Sequence, residues 1–298
     1  MPFPALERLK AEHEVDVWEH RTPPPPDEFA ARAARADALL TTVTERVDGD
    51  LLDAAPSVKA VANLAVGTDN IDLEAAKARG IPVGNTPDVL TDATADIAFA
   101  LLLAAARRIT EGEREVREGR WAPWHPAHML GGDLAGTTLG IIGWGRIGQA
   151  MARRGEGFGM EIVHHSRSSG IELDELLERS DHVSLHTPLT PETRHLMGAE
   201  QFARMKPTAY FVNTSRGGTV DQVALREALE RGEIAGAALD VTDPEPLPHD
   251  DPLLSAPNLV VVPHVGSATV RTRSKMADLA VENLLAALGG REMPHRVA

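Results

Sequence analysis

Three stretches of the chain end in residues that can hold an anion and move a proton: "AYFVNTSRGG", "GAALDVTDPEP" and "LVVVPHVGSAT". The first runs into Arg216, the second into Asp240 and Glu245, the third into His264. An arginine can grip a carboxylate through two parallel hydrogen bonds. A histidine held in one tautomer by a carboxylate can hand a proton to a developing alkoxide. The combination suits reduction of a 2-oxo acid, with a hydride arriving at the carbonyl carbon while the histidine protonates the oxygen. Singly, each residue has a plainer explanation: a structural histidine, a stiff Asp-Pro-Glu-Pro loop, a turn arginine. What joins them is that each follows an apolar strand, and in an open α/β sheet the strand C-termini all border the ligand crevice.

Such a reaction needs a hydride donor. "TLGIIGWGRIGQAMARRGEGFGMEIVHHS" places Gly143, Gly145 and Gly148 in G-x-G-x-x-G spacing. The pattern follows an apolar strand, opens a helix and precedes a second strand, which is the context that makes it specific. Gly143 permits the tight turn, Gly145 lets the backbone approach a pyrophosphate, and Gly148 lets helix and strand pack. The helix N-terminus then offers N–H groups to the phosphates. Where the second strand ends, an acid would accept the ribose hydroxyls of NAD. Here Ser166, Arg167 and Ser168 stand instead. A cation and two hydroxyls suit a 2′-phosphate, so NADP(H) is the expected cofactor, with NAD(H) possible.

The elements that must carry these residues are legible as a βα alternation, the pattern of parallel sheets covered by helices. "LERLKAEHE" has helical spacing and "VDVWEH" alternates as a strand; "RTPPPPDEFAARAARADALLTT" passes from prolines into a helix and a strand. "APSVKAVANLAVG" reads as a strand, "NIDLEAAKARG" as a helix stopped by Gly80, and "IPVGN" as a short strand. From Thr91 one long helix is expected through "TDATADIAFALLLAAARRITEGEREVREGR", apolar nearly all round before turning charged, as a buried interface helix would be. A loop, "WAPWHPAHMLGGDLAG", leads to a second βα series from Thr137, and "RTRSKMADLAVENLLAALGG" reads as a last helix stopped by Gly289.

Composition narrows the partners. The chain has 298 residues, enough for two domains, and a formal net charge of −14. That charge argues against nucleic acid and anionic membrane as partners, since both demand clustered Lys and Arg. With no cysteine there are no disulfides, thiolate nucleophiles or cysteine-bound zinc. "MPFPALERLKAEHEVDVWEH" has no apolar segment of signal-peptide length, and the longest apolar run, "IAFALLLAAA", is too short to span a membrane, so a cytoplasmic location is expected. His125 and His128 lack a nearby acidic pair other than Asp133, and His164 and His165 cannot share one side of a strand. No metal is expected.

At this point the sequence resembles the D-isomer-specific 2-hydroxyacid dehydrogenase family, most closely its glyoxylate/hydroxypyruvate reductase branch. The likeness runs through "AVGTDNIDLEAAKARGIPVGNTP", "ATADIAFALLLAAARR", "LGIIGWGRIGQAMARR", "LHTPLTPETRHLMG", "VNTSRGGTVDQ", "ALDVTDPEPLP" and "PHVGSAT". It implies two Rossmann-like or flavodoxin-like α/β domains with parallel sheets: a dinucleotide-binding domain over 93–271, inserted into a substrate domain made of 1–92 and 272–298. It implies that Arg216 binds and polarises the substrate, that Glu245 supports His264, and that His264 is the acid/base. Asp240 is implied to meet the nicotinamide amide, and Thr187 and Pro188 to lie along the adenosine. Cofactor contacts are further expected at Thr94, Arg146, Ile147 and Thr193, and at Thr214, Ser215 and Gly266. Backbone N–H groups around Ala65, Val66 and Gly67 would hold the substrate carboxylate, with Ser267 beside it.

The resemblance also implies a homodimer in which Trp124 reaches the partner's active site. Departures are expected to matter. The family usually opens with a strand before the "ALERL" helix, whereas this chain opens at that helix, so the substrate domain would lack a sheet member. After Arg167 only "SSGI" stands where a further helical turn and strand are usual, and Thr68 replaces a frequent tyrosine. Other readings are a dehydrogenase of D-3-phosphoglycerate, D-lactate, formate or phosphite, or a non-catalytic cofactor-sensing scaffold; fold alone does not separate these.

Overall fold

The computed structural model describes residues 4–298. The chain divides into two compact α/β units, one of residues 1–90 with 268–298 and one of residues 91–267. These divisions fall a few residues before the expected boundaries at 92 and 271.

The first unit opens with α1 (Pro4–Glu12) and α2 (Pro26–Ala33). Strand β1 (Ala38–Thr41), α3 (Gly49–Ala54), β2 (Ala60–Asn63), α4 (Leu73–Ala78) and β3 (Val83–Gly84) follow. The strands are parallel in the order β1-β2-β3. Asp48 and Asp72 cap α3 and α4 by accepting from Leu51 and Ala75 N–H, and Gly80 stops α4 at φ 68°. The strand expected over "VDVWEH" does not form. Its alternation belongs instead to a local staple: Trp18 Nε1 donates to the Thr22 carbonyl at 2.7 Å, and the Arg32 guanidinium of α2 lies 5.0 Å from the indole centre.

The second unit begins with α5 (Thr91–Ala106) and α6 (Ile109–Arg117). The single long helix expected here is broken, because Arg108 adopts φ 51° and its guanidinium turns onto Glu111 at 2.7 and 2.6 Å. Next come β4 (Thr138–Ile142), α7 (Arg146–Gly157), β5 (Glu161–Ser166), β6 (Ser169–Gly170) and α8 (Leu173–Arg179). The series ends with β7 (His182–Leu185), α9 (Ala199–Arg204), β8 (Tyr210–Asn213), α10 (Gln222–Arg231), β9 (Gly236–Leu239) and β10 (Leu259–Val261). The sheet order is β10-β9-β8-β7-β4-β5-β6, parallel except for β6.

Helices cover both faces of this sheet, and its central strands are accordingly apolar on both sides. Ile141, Tyr210 and Val212 pack with α5 and α7, while Ile142, Leu185 and Phe211 pack with α8, α9 and α10. Strand order reverses between β4 and β7, the switch point at which doubly wound sheets open a crevice. The short "SSGI" segment neither coils nor adds a parallel strand. It folds back as β6, an antiparallel hairpin partner of β5 with Arg167 and Ser168 as its two-residue loop.

The chain then returns to the first unit as α11 (Val270–Leu288), capped by Thr269, which accepts from Thr272 N–H. Ala277, Ala280, Val281 and Leu284 of this helix pack on Ala60 and Ala62 of β2 and on Leu9 of α1. Gly289 is the C-cap at φ −82°, and the left-handed residue that turns the chain is Gly290 at φ 70°. The last residues then pair antiparallel with β3: Val83 N–H donates to the Ala298 carbonyl, Asn85 N–H to that of His295, and Val297 N–H to that of Val83.

Candidate active site

Every catalytic and most cofactor candidates lie at one edge of the seven-stranded sheet, because parallel strands present all their C-termini there. At β4, Gly143 has φ 97°, and a Cβ on it would fall 2.6 Å from the His186 carbonyl oxygen. A Cβ on Gly148 would fall 2.1 Å from the Gly143 carbonyl oxygen. Both positions therefore need glycine for the fold itself. Gly145 does not: its φ of −78° is ordinary, and a Cβ there meets nothing within 4 Å. The open space beside Gly145, at the head of α7, is room for a group outside the chain. Arg146 and Ile147 form the first turn of α7, whose leading N–H groups face the same end.

Two further features fit a dinucleotide. The hydroxyls of Thr187, just beyond β7, and Thr214, just beyond β8, are buried without a hydrogen-bond partner. Buried polar groups normally find partners, and these two flank one crevice. Thr193 braces the loop beside Thr187, donating to the Pro188 carbonyl at 2.6 Å and accepting from Thr190 N–H at 2.8 Å. Ser215 is differently employed, since its hydroxyl donates to Asn213 Oδ1 at 2.8 Å.

At β5 the three residues expected to act together are divided. The Ser166 hydroxyl is committed to the hairpin, accepting from Ser169 N–H at 3.1 Å, whereas Arg167 and Ser168 are exposed at its tip. His164 and His165 take opposite faces. The former stacks on Trp144 at 4.0 Å, and the latter's Nδ1 donates to the Ile171 carbonyl at 2.8 Å, tying down β6. Neither His125 nor His128 joins a metal-ligating group among the described residues; His128 pairs with Glu115 at 3.1 Å.

Burial pushes the imidazole of His186 down to about 4, from an ordinary 6.5. Its Nε2 sits 2.8 Å from the Ser184 hydroxyl. Between those two values the unfolded chain binds a proton that the native state refuses. Stability therefore rises with pH in that window and is lost as pH falls from about 6.5 to about 4. His186→Gln is expected to flatten the acid limb by at most about 3 kcal/mol, measurable by urea unfolding across pH 4–7. An unaltered limb would assign acid lability to other groups.

The candidate proton-transfer residues come next along the edge. Beyond β10, His264 Nδ1 lies 2.5 Å from Glu245 Oε1. His264 itself has φ 50°, a conformation non-glycine residues rarely adopt. Asp240, 2% exposed at the end of β9, holds it: the Asp240 carbonyl accepts from His264 N–H at 2.9 Å, and its carboxylate accepts from Val265 N–H at 2.6 Å and Gly266 N–H at 2.8 Å. Burial raises the pKa of this carboxyl, against the pull of those amides and of His264. Thr94 of α5 lies against Gly266, and Ser267 follows.

Arg216, after β8, is placed by Asn213 Nδ2, which donates to its carbonyl at 2.9 Å, while its own Nη1 donates to the Ser215 carbonyl at 2.8 Å. The Arg216 and Glu245 loops interlock. The Thr242–Asp243 peptide sits directly on Gly217, where a Cβ would fall 2.0 Å from the Thr242 carbonyl carbon. Gln222 grips both backbone groups of Asp243, donating to its carbonyl at 2.6 Å and accepting from its N–H at 2.9 Å. Sequence reasoning missed Gln222, although it closes the "VNTSRGGTVDQ" stretch. Ala65, Val66 and Gly67 lie in the first unit, in the turn after β2. Trp124 is 85% exposed on the loop after α6.

Comparisons with known proteins point to one family. Residues 99–266 match the model for the D-isomer specific 2-hydroxyacid dehydrogenase NAD-binding domain. A glyoxylate reductase of Korarchaeum cryptofilum is 50% identical over 309 residues, covering 100% of this chain and 93% of the relative. A Thermus thermophilus protein of known crystal structure is 51% identical, with TM-score 0.94 and coverage of 99% of this chain and 96% of that one. The NADPH-dependent glyoxylate/hydroxypyruvate reductase of Sinorhizobium meliloti, solved with NADP and malonate, is 38% identical, with TM-score 0.86 and coverage of 99% and 93%. With the fingerprint, the His–Glu pair and these likenesses together, the chain belongs to the D-isomer specific 2-hydroxyacid dehydrogenase family of nicotinamide-dependent oxidoreductases.

Proposed function

We propose that this protein reduces a small 2-oxo acid, glyoxylate or hydroxypyruvate, to the achiral or D-configured 2-hydroxy acid, preferring NADPH to NADH. The observation that carries the reading is the 2.5 Å bond between His264 and Glu245 at the sheet edge that also bears the dinucleotide fingerprint. Glu245 fixes the tautomer by accepting from Nδ1, which leaves Nε2 to serve the substrate. A bound nicotinamide supplies the hydride to the carbonyl carbon. His264 gives its Nε2 proton to the carbonyl oxygen as negative charge builds there, and Glu245 steadies the ring while it is charged. Arg216 pairs with the acid and polarises its carbonyl. Asp240 keeps His264 in its left-handed turn and has lone pairs left for the nicotinamide amide. The names of the Korarchaeum and Sinorhizobium relatives support this choice of substrate.

The preference for NADPH rests on Arg167 and Ser168 at the hairpin tip, with no carboxylate at the end of β5. Arg167→Asp is expected to lower the NADPH/NADH ratio of kcat/KM by about tenfold or more, because it exchanges a phosphate-binding cation for a ribose-binding acid. An unchanged ratio would remove Arg167 from the site. We also infer a homodimer, since Ile109, Val116, Trp121, Trp124 and Leu130 expose large apolar side chains along one segment. A monomer mass by light scattering at assay concentration would reject it. No helix among the described residues is long and apolar enough to cross a membrane, and we place the enzyme in the cytoplasm, where nicotinamide dinucleotides are at hand. The experiment for the reaction itself is initial rates on both acids with NADPH and NADH in parallel; turnover with neither cofactor sinks it.

A further inference from the structure

Three consecutive carbonyl groups in the turn after β2 are each held by a hydrogen bond. The Ala65 carbonyl accepts from Thr86 N–H at 2.8 Å, the Val66 carbonyl from Asn85 Nδ2 at 2.8 Å, and the Gly67 carbonyl from Asn63 Nδ2 at 2.9 Å. In a planar trans peptide, the carbonyl of one residue and the N–H of the next point in opposite directions. Capturing these three oxygens therefore turns the N–H groups of Val66, Gly67 and Thr68 the other way. Among the described residues none of those three N–H groups donates to a protein acceptor. Successive backbone donors turned outward in this manner form an anion-binding concavity.

The tethers are themselves held. Asn63 is wholly buried; its Oδ1 accepts from the Thr41 hydroxyl and its Nδ2 also reaches Asn70 Oδ1, both at 3.0 Å. Asn85 is fixed through its backbone, since its carbonyl accepts from Asn283 Nδ2 of α11 at 3.0 Å. Asn283 in turn accepts from His295 N–H at 3.0 Å. A Cβ on Gly84 would fall 2.6 Å from Asn283 Nδ2, so glycine there leaves Asn283 its place. An Asp carboxylate cannot serve at positions 63 and 85, because it has no proton to donate to a carbonyl.

We propose that Asn63 and Asn85 are positioning residues for the substrate carboxylate: they do not touch the acid but orient the peptides whose N–H groups bind it. The inference rests on the 2-oxo acid reading above and adds to it which side chains shape the anion site. Asn85→Leu in the full chain keeps the volume and removes the donor, freeing the Val66 peptide to rotate. The expected result is a KM for glyoxylate raised about tenfold or more, from the lost buried hydrogen bond, with kcat changed less than about threefold and NADPH affinity, read by fluorescence titration, unchanged. A purely structural role would instead lower the melting temperature with no selective rise in KM, and that outcome overturns the proposal.

A second measurement needs no variant. In the wild-type protein with NADPH, oxamate, an unreactive 2-oxo carboxylate, should shift the amide resonances of Val66, Gly67 and Thr68; amides that do not respond to bound oxamate overturn the assignment. If wild-type protein reduces neither acid, the proposed reaction fails, and the oxamate titration still decides whether these N–H groups bind a carboxylate.

Discussion

His264→Ala is expected to lower kcat for glyoxylate by roughly two to four orders of magnitude, the usual worth of a positioned general acid, while NADPH still binds. The reason is geometric. Among the described residues the ring is the only group pinned by Nδ1 to a carboxylate at the sheet edge, at 2.5 Å, and Asp240 maintains the unusual φ that puts it there. Water can replace the proton but not its placement. The proposed cofactor contacts lie elsewhere, at the fingerprint and beside Thr187 and Thr214, so a fluorescence titration with NADPH should be little changed. A variant retaining more than about a tenth of wild-type kcat would show that another group protonates the alkoxide.

The second large effect concerns two glycines with opposite signatures. Gly217→Ala drives a methyl to 2.0 Å from the Thr242 carbonyl, a backbone atom that has no rotamer with which to escape. The Arg216 and Glu245 loops must then separate, and Gln222 loses its grip on Asp243. We expect a loss of about 1–3 kcal/mol in stability from the overpacking, with kcat/KM falling by more than tenfold. Gly145→Ala should behave in reverse, leaving stability nearly unchanged because its Cβ meets nothing within 4 Å, yet weakening NADPH binding where the backbone must approach a pyrophosphate. Urea midpoints and NADPH dissociation constants separate the cases. Equal losses of stability in both variants would refute the distinction between a glycine kept for the fold and one kept for the ligand.

What could be read before folding follows from how strongly each feature marks the chain. Strands β4, β8, β9 and β10 are apolar runs that stop abruptly at Gly143, Asn213, Asp240 and Pro263, so the site residues just beyond them stand out. Strand β6 leaves no such trace, being only Ser169 and Gly170, and it forms because Gly170 can take φ 95° against the His164 carbonyl. The break between α5 and α6 is hidden for another reason: Arg107 and Arg108 are good helix formers, and only the turn of Arg108 onto Glu111 ends the helix. Asn63, Asn85 and Gln222 escaped notice because polar residues near strand ends ordinarily serve turns. Their value lies in which carbonyl each amide faces, a property of the folded backbone rather than of residue type.

The pairing of β3 with residues 295–298 sets an order of events during synthesis. Asn283 meets Asn85 across 198 residues of chain, and His295, Val297 and Ala298 join the same edge later still. The intervening unit is contiguous, and its strands find their neighbours as they leave the ribosome. The first sheet has no such option: its edge strand and the turn after β2 wait, with their backbone groups hydrated, until the last helix emerges. A chain halted just short of α11 would therefore carry a complete second unit and an unfinished first one, and exposed strand edges of that kind are what chaperones and proteases recognise.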